Sequence, residues 1–412
     1  MGRPIGSKNK VKSSGGLQVL KFDKQIENAP IVRNSAMGWV QYGSHNTYPY
    51  DLISLYNTSV THRACVDFAT NAIVGDGIDI EAMKLKDTDL QAPNYQTSWN
   101  EFIRSLAFDY VLYNAFSFQI IRSKGGGQYT FYHQPIETIR LEEADEDGVI
   151  NNAYICKDWS ATGKYPPVKI PMFGFQKDEV IPIGQPYLYY FKPYNPVNYY
   201  YGLPVYSSAL NCIQAEAAYC VYDYKSISNG FTAVGAITLP DVETEEERRA
   251  LIRDITNMFT GEQNAASFVI NFRNNPEDLG ITFTPFTQAN NSSVNMYMDA
   301  NNRTVDRICA AHKITSKALI GFPVDNTGFS DSGNYLEAAF ALYNINIANG
   351  NRRAILDAIN SAFRLNGIET EVILKPLRYK TDDAQTTVNS SPSQVGEANN
   401  EDNVTEREEN TL

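Results

Sequence analysis

Hydrophobic positions recur at helical spacing in two long segments that flank a shorter segment of mixed character. The first helix is predicted to follow Tyr201-Gly202-Leu203-Pro204 and to stop at Asn229-Gly230, and the second to run from Asn291-Ser292 to His312-Lys313. At a rise of about 1.5 Å per residue they span roughly 39 and 33 Å, so they can lie antiparallel as one stalk. A stalk of this kind indicates a spacer and not a catalytic pocket.

The second of these helices carries two distinct faces. One is mainly apolar and consists of Val294, Tyr297, Met298, Asn301, Val305, Ile308, Cys309 and His312. The other consists of Asn295, Asp299, Asn302 and Asp306, which recur at i, i+4, i+7 and i+11. Because His312 lies on the apolar stripe, we expect it to be a packed core or interface residue.

The segment between the two helices, 231–290, has the pattern of a small β-α-β-β module. Strands are predicted at 235–240, 267–272 and 281–286. Thr244-Glu245-Glu246-Glu247 is a capping box that opens a helix ending at Gly261.

The residues before position 203 predict an α+β body. Helices are expected over 50–75, with Val60, Ala64, Phe68 and Ala72 on one stripe, and over 97–114. Short alternating segments predict strands at 78–80, 115–122, 129–133, 138–142, 149–156, 168–173, 178–183 and 187–192. A final long helix is expected over 334–365, with a kink at Gly350.

Composition and charge narrow the classes of function. The chain has 412 residues and a net charge of −12, which disfavours a protein that grips nucleic acid over a broad surface, since each firmly held phosphate needs a Lys or Arg. An acidic protein can still enclose DNA that has to slide. The 26 tyrosines suit a large protein–protein surface, and they suit an aromatic-rich core equally well.

Both ends of the sequence are predicted to be disordered. Residues 1–16 are basic, and Arg3, Lys8 and Lys10 form a possible DNA-binding arm that resembles the AT-hook peptide around Gly2-Arg3-Pro4, although a plain solvated tail is the simpler interpretation. Residues 381–412 form an acidic tail.

Nothing in the sequence predicts catalysis, a cofactor or a metal site. The four histidines are scattered, and the five cysteines form no C-x-x-C pair, which suits a reducing compartment. Cys212, Cys220 and Cys309 are expected to be small buried hydrophobes on helix faces. Lys124-Gly125-Gly126-Gly127 is predicted to be a turn, and no apolar run approaches the ~20 residues that cross a bilayer. We therefore expect a non-enzymatic protein with no membrane partner.

Several segments, taken in order, resemble the portal proteins of tailed bacteriophages, which join the capsid to the tail. The clearest are Asp109–Phe116, Tyr132-His133-Gln134-Pro135, Tyr201-Gly202-Leu203-Pro204, Gly235–Pro240, Ile308–Gly321 and Tyr335-Leu336-Glu337. Two positions depart from the family pattern, since Tyr113 replaces a Gly and Thr315 a Pro. No single motif is specific, but their order and spacing extend from about Ser59 to Phe363.

The resemblance implies a portal-type fold and a set of domain boundaries. It implies an α+β wing domain at 17–203, stem helices at 204–230 and 291–314, and a clip domain at 231–290. A tunnel-loop region falls at 315–334, and 335–380 contains the last wing helix and a short C-terminal part. The short acidic C-terminus makes a helical crown doubtful.

The resemblance also implies partners and site residues. Portals form dodecameric rings at one capsid vertex, made in the host cytoplasm, and pass double-stranded DNA during packaging and ejection. Partners would be the terminase large subunit, the major capsid and scaffolding proteins, and head–tail adaptors. The tunnel-loop candidates are Phe322, Val324, Asp325, Asn326 and Phe329. The clip residues expected to dock terminase or adaptors are Glu245, Glu246, Arg249, Asn264 and Asn274.

The polar face of the second stem helix is the candidate channel lining. Asn295, Asp299, Asn302 and Asp306 would present acids and amides to DNA, while Arg303 and Arg307 would pair with neighbouring subunits. A simple solvated face is an equally good interpretation of any one of these residues. Two further alternatives stay open: another ring-forming adaptor of the virion, and a DNA-binding accessory protein that acts through the N-terminal arm.

Overall fold

The described part of the chain forms one compact unit that ends at Leu377. The computed structural model describes residues 32–34, 38–85, 90–125, 127–175, 180–228, 235–239, 244, 246–247, 249–250, 268–272, 282–285, 291–322 and 332–377. Mixed helices and sheets make it an α+β protein, as the sequence predicts. The predicted N-terminal arm and acidic tail lie outside the described residues.

The body opens with a short hairpin and two helices. Strands β1 (Val32–Asn34) and β2 (Val40–Tyr42) pair antiparallel, and helices α1 (Tyr48–Thr58) and α2 (Val60–Val74) come next. The prediction of one helix over 50–75 is wrong, because Ser59 has an extended backbone and its hydroxyl accepts a hydrogen bond from the His62 amide, which caps a second helix. Val60, the first residue of the predicted stripe, is therefore exposed at the start of α2.

Helix α3 (Trp99–Tyr113) leads into the central sheet of the body. Ser98 and Glu101 form a capping box at its start, and Asn114 ends it in the left-handed conformation at φ 55°. Strands β3 (Phe116–Arg122), β4 (Tyr129–His133) and β8 (Pro186–Phe191) form an antiparallel sheet with β3 in the centre.

A second antiparallel sheet contains β5 (Ile139–Leu141), β6 (Asn152–Ile155) and β7 (Val168–Pro171). The strand predicted at 178–183 is wrong over 180–182, where Pro182 lacks the amide that a ladder needs, and only an isolated bridge joins Ile183 to Arg122. The strand predicted at 78–80 is likewise reduced to one bridge, between Ile78 and Leu374.

The two long helices are α4 (Leu210–Ser228) and α5 (Asn291–Ala311), and they pack on each other. The ring of Tyr206, just before α4, stacks on His312, just after α5, so the beginning of one helix lies at the end of the other. This is the antiparallel arrangement that the pattern predicts. The first helix begins six residues later than the predicted Pro204, because 204–209 form turns and a 3-10 helix (Ser207–Ala209).

Gly202 explains why the chain can enter α4 so close to the body. A Cβ at this position would lie 2.4 Å from the carbonyl oxygen of Tyr113 and 2.6 Å from that of Asn114. The side-chain amide of Asn114 also donates to the Leu203 carbonyl at 3.0 Å. Only glycine allows the backbone at position 202 to lie so close to these two carbonyl groups. The glycine of the Tyr201-Gly202-Leu203-Pro204 motif therefore has a steric cause.

Between the two helices, three strands form a separate sheet. Strand β9 (Gly235–Leu239) lies in the centre, parallel to β10 (Phe268–Phe272) and antiparallel to β11 (Thr282–Pro285). Positions 246, 247, 249 and 250 are helical, as the capping box predicts, and the rest of the predicted helix lies outside the described residues. A parallel pair needs a crossover, so this pairing suits the predicted β-α-β-β order.

The final helical segment is interrupted before Gly350. It consists of α6 (Ser332–Tyr343), a π-helical turn (Asn344–Ala348) and α7 (Asn349–Leu365). The prediction of a kink at Gly350 is therefore wrong in position, since the irregular hydrogen bonding is at the π turn.

Many of the described tyrosines fill the core. Tyr42 and Tyr201 stack with ring centroids 4.1 Å apart, and both are almost fully buried. Their hydroxyls donate to the Gly202 carbonyl at 2.7 Å and to the Val40 carbonyl at 2.5 Å. These tyrosines favour the core interpretation of the high tyrosine content over the surface one.

Candidate functional site

A buried polar cluster centred on Glu216 of α4 lies where the two long helices join the body, which we call the root of the helix pair. Its carboxylate accepts hydrogen bonds from the Ser59 hydroxyl, from the Thr61 hydroxyl at 2.5 Å and from the Thr61 amide at 3.3 Å. Ser59 in turn caps α2, so one side chain joins the first long helix to the beginning of a body helix. A negative charge at a helix N-terminus is also favoured by the helix dipole.

A histidine pair lies beside this carboxylate. His62 Nδ1 and His312 Nε2 are 2.9 Å apart, so one nitrogen donates and the other accepts. Burial lowers the pKa of His62 to about 3 and that of His312 well below its usual value. Both rings are therefore neutral at pH 7, and His312 is a packed residue, as its position on the apolar stripe indicates.

The buried pair makes stability depend on pH in a defined direction. Since both pKa values are lower in the folded chain than in the unfolded one, the unfolded state binds more protons below about pH 6.5, and stability falls from there toward pH 3. Between pH 7 and 5.5 the two histidines should lower the free energy of unfolding by about 2–3 kcal/mol. Replacing both residues by leucine (His62→Leu, His312→Leu) should abolish this part of the decrease.

Equilibrium unfolding in urea at the two pH values checks this prediction. His45→Gln is the matched control, because it removes an exposed histidine and leaves the buried pair in place. An identical pH dependence in the leucine variant would show that other groups control acid stability.

Two cysteines lie about one turn away from the histidines: Cys65 follows His62 in α2, and Cys309 precedes His312 near the end of α5. Cys65 of α2 and Cys309 of α5 are both buried, and a hydrogen bond links their thiols. That hydrogen bond raises the pKa of Cys65, which burial raises further, and it lowers the pKa of Cys309. The expectation that Cys309 is buried is confirmed, whereas Cys212 is only half-buried, and the expectation is wrong for Cys220, which is exposed on the outer face of α4.

The candidate channel residues lie on the exposed side of α5. Asp299, Asn302 and Asp306 are exposed, opposite the buried Val305 and Ile308, and Asn295 lies on the same helix. Asp306 forms an ion pair with Lys317 at 2.8 Å within the chain, a partner that the sequence did not indicate. Arg303 and Arg307 are exposed on the adjacent stripe. The exposure of these side chains agrees with a channel-lining face, and the assignment of this face to the channel remains a prediction.

The tunnel-loop candidates are only partly described. Ser316 caps a short 3-10 helix, Lys317–Ile320, and Gly321 ends it in the left-handed conformation. Phe322 is half-buried and packs against the main core cluster of the body. Val324, Asp325, Asn326 and Phe329 lie outside the described residues.

Most of the other candidate residues also fall outside the described residues. Glu246 and Arg249 are exposed on the helical segment of the inserted module. The candidates outside the described residues are Glu245, Asn264, Asn274, Arg3, Lys8 and Lys10.

An open cleft of about 440 Å³ lies elsewhere on the body, among α1, α2 and α3, and contains an ion pair that the sequence did not indicate. His133 Nε2 lies 2.8 Å from the buried Asp109 carboxylate. Burial raises the pKa of Asp109; for His133, the attraction of Asp109 outweighs burial and raises its pKa too. The nearby Ser105 hydroxyl donates to the Glu101 carbonyl. Because His133 Nε2 is directed at the carboxylate and the serine elsewhere, the three do not form a hydrolytic triad.

Neither a metal site nor a membrane span is found among the described residues. Within these residues no three histidine, cysteine or acidic side chains are placed to hold a metal ion. In the same part of the chain no helix combines the length and the apolar character that a membrane span requires.

Comparison with solved structures gives the fold neighbours of this chain. The neck of a native gene transfer agent (GTA) particle, computed with C12 symmetry, aligns with a TM-score of 0.51 at 16% identity, covering 82% of this chain and 86% of that one. The neck of an empty GTA particle, computed with C6 symmetry, gives 0.50 at 17% identity, with 82% and 86% covered.

A third solved structure aligns more weakly. An HK97 family phage portal protein from Corynebacterium diphtheriae aligns at a TM-score of 0.42 and 11% identity, covering 79% of this chain and 95% of that one. No protein-family model and no curated protein matches the chain. The resemblance to portal proteins that the sequence predicts is confirmed at the level of the fold, since this chain has a fold similar to that of a protein in a particle neck.

Proposed function

We propose that this chain is a portal subunit, which forms a ring at one vertex of a phage-type capsid and lets double-stranded DNA pass through its centre. The observation that carries the proposal is the fold likeness to a protein of a particle neck whose structure was computed with C12 symmetry, over 82% of this chain. The order of sequence motifs supports it independently. The C12 symmetry of that neck supports a ring of twelve copies as the proposed unit.

The surface of the described chain suits contact between copies. Leu342 and Ile345, on α6 and the π turn, are 51% and 69% exposed and share one helix face with Tyr335. Exposed apolar side chains aligned on one face are typical of a surface that another protein covers. We infer that a neighbouring copy of this chain covers this face.

The finer parts of the proposal concern partners. The inserted module at 231–290 would be the clip that docks the terminase large subunit during packaging and head–tail adaptors afterwards. The body would contact the major capsid and scaffolding proteins, and the protein would reside at the portal vertex of the virion after synthesis in the host cytoplasm. Its role would be structural, without catalysis.

Imaging of the purified full chain tests the proposal. We expect rings in negative stain, with a central hole wide enough for a duplex of about 20 Å, and a matching mass by light scattering. Monomers at every concentration tested, or closed assemblies without a hole, would contradict it. A closed ring with a much narrower hole would instead favour another ring-forming adaptor.

Charge on the exposed apolar face should prevent ring formation. We expect Leu342→Glu with Ile345→Glu to shift the protein from rings to monomers, because burying two carboxylates between copies costs several kcal/mol per contact. Sedimentation velocity measures the distribution. Val168→Glu with Val180→Glu is the control, since both valines are about as exposed but lie in the strand-rich part of the body. Rings that persist in the first variant exclude this face from the interface.

A further inference from the structure

The buried cysteine pair at the root of the helix pair suggests covalent chemistry beyond the proposed role. Cys65 and Cys309 come from helices that pack at two successive turns, since His62 and His312 meet one turn away. The two contacts are three residues apart in each segment, and together they fix the register of α2 against the end of α5. The thiols are therefore held in contact by the packing and do not meet by chance collision.

We propose that Cys65 and Cys309 are a site of oxidative modification, at which a small oxidant of the peroxide class joins them in an intramolecular disulfide. The bond would tie the second long helix covalently to body helix α2. An S–S bond of about 2.05 Å is shorter than a thiol hydrogen bond, so the two side chains must approach a little further. Cysteine side chains are short, so sulfurs that already touch need only a small movement of the two helices.

The chemistry divides between the two sulfurs. One of the two sulfurs, as the thiolate, is the nucleophile. It attacks one oxygen of hydrogen peroxide, the O–O bond breaks, and sulfenic acid and hydroxide form. The other cysteine sulfur then displaces hydroxide from the sulfenic sulfur. Two thiols and one peroxide give one disulfide and two waters.

The burial of the two thiols determines which oxidants can reach them. Cys65 is 0% exposed and Cys309 is 4% exposed, so bulky thiol reagents cannot reach either sulfur in the folded chain. Peroxide is small enough to enter during brief local openings. Cys220 is exposed and reacts with large reagents first, which gives an internal reference for accessibility.

The biological consequence rests on the proposed function. A cytosol keeps thiols reduced, so the pair would stay open while subunits fold and assemble, and it would close once a released particle meets oxidising surroundings. The crosslink would close a loop of roughly 240 residues. A closed loop of this length strongly lowers the entropy of the unfolded chain, so the bond would stabilise the attachment of α5 to the body against unfolding.

Peptide mapping of the full chain tests the disulfide. The starting variant is Cys212→Ser with Cys220→Ser, which removes the two more accessible thiols, and the buried Cys156 remains as a thiol without a cysteine neighbour. After mild peroxide treatment and alkylation in denaturant, we expect a Cys65–Cys309 peptide that dithiothreitol separates. Titratable thiols should fall by two per chain, and Tm should rise by about 5 °C.

Single replacements provide the controls. Cys65→Ala and Cys309→Ala, each in the same starting variant, should give neither the crosslinked peptide nor the rise in Tm. Recovery of both cysteines alkylated, or of Cys309 oxidised to sulfinic acid without a crosslink, would overturn the proposal. Failure of the proposed function is a separate result, since a protein that forms the disulfide but no rings would leave this inference intact.

Discussion

Replacing Glu216 by alanine should destabilise the protein by about 3 kcal/mol or more. The carboxylate accepts from two hydroxyls and one backbone amide, all buried, and its removal leaves those donors without their acceptor in a buried site. The change also loosens Ser59, which caps α2. The effect should therefore reach both the helix pair and the body.

Guanidinium unfolding followed by tryptophan fluorescence measures this loss, because the tryptophans lie in the body. Glu216→Gln keeps the side-chain volume and one acceptor, and we expect about half the cost. Glu146→Ala, at an exposed turn of the body, should change stability by no more than about 0.5 kcal/mol. A loss of less than about 1 kcal/mol of unfolding free energy in Glu216→Ala would mean that the Ser59 and Thr61 hydroxyls find other acceptors.

Lysines on the exposed face of α5 should reduce DNA packaging by on the order of tenfold if this face lines the channel. In Asp299→Lys with Asp306→Lys each copy gains positive charge, and the second replacement also breaks the ion pair with Lys317. A ring of such copies would hold phosphates by counterion release and would slow the sliding of DNA. Packaging velocity and the yield of filled heads are the measurements.

Two controls separate this effect from a general change of charge. Glu146→Lys with Asp147→Lys makes the same change at an exposed turn of the body, and packaging should be unaffected. Asp306→Asn removes the ion pair without adding a positive charge, which measures the cost of that contact alone. Normal packaging by the Asp299/Asp306 lysine variant would exclude α5 from the channel.

The periodic elements could be predicted from the sequence because their signals are local. The helix over Asn291–Ala311 and the strand at Tyr129–His133 were located within two residues, since each repeats its apolar positions at the period of its own backbone. Where one side chain overrides the period, prediction failed. Ser59 splits a segment that has the pattern of one helix, because its hydroxyl caps the start of α2.

The candidate site could be predicted only in part. The exposed acids and amides of α5 agree with helical periodicity, and their exposure in the single chain is the expected one. Lys317 could not be identified as the partner of Asp306, because the turn after α5 brings it back toward the helix. The cluster around Glu216 gave no signal, since no spacing rule relates a residue of α4 to the cap of α2.

Local periodicity was therefore enough to establish the order and type of the main elements and the antiparallel helix pair, and the order of the motifs was enough for the likeness of fold to neck proteins. Which side chains meet depended on the packed chain: His62 with His312, Cys65 with Cys309, and Glu216 with Ser59 and Thr61. The difference is one of range. Backbone periodicity acts over a few neighbouring residues, whereas these contacts join residues more than 150 positions apart, and packing of the whole body sets them.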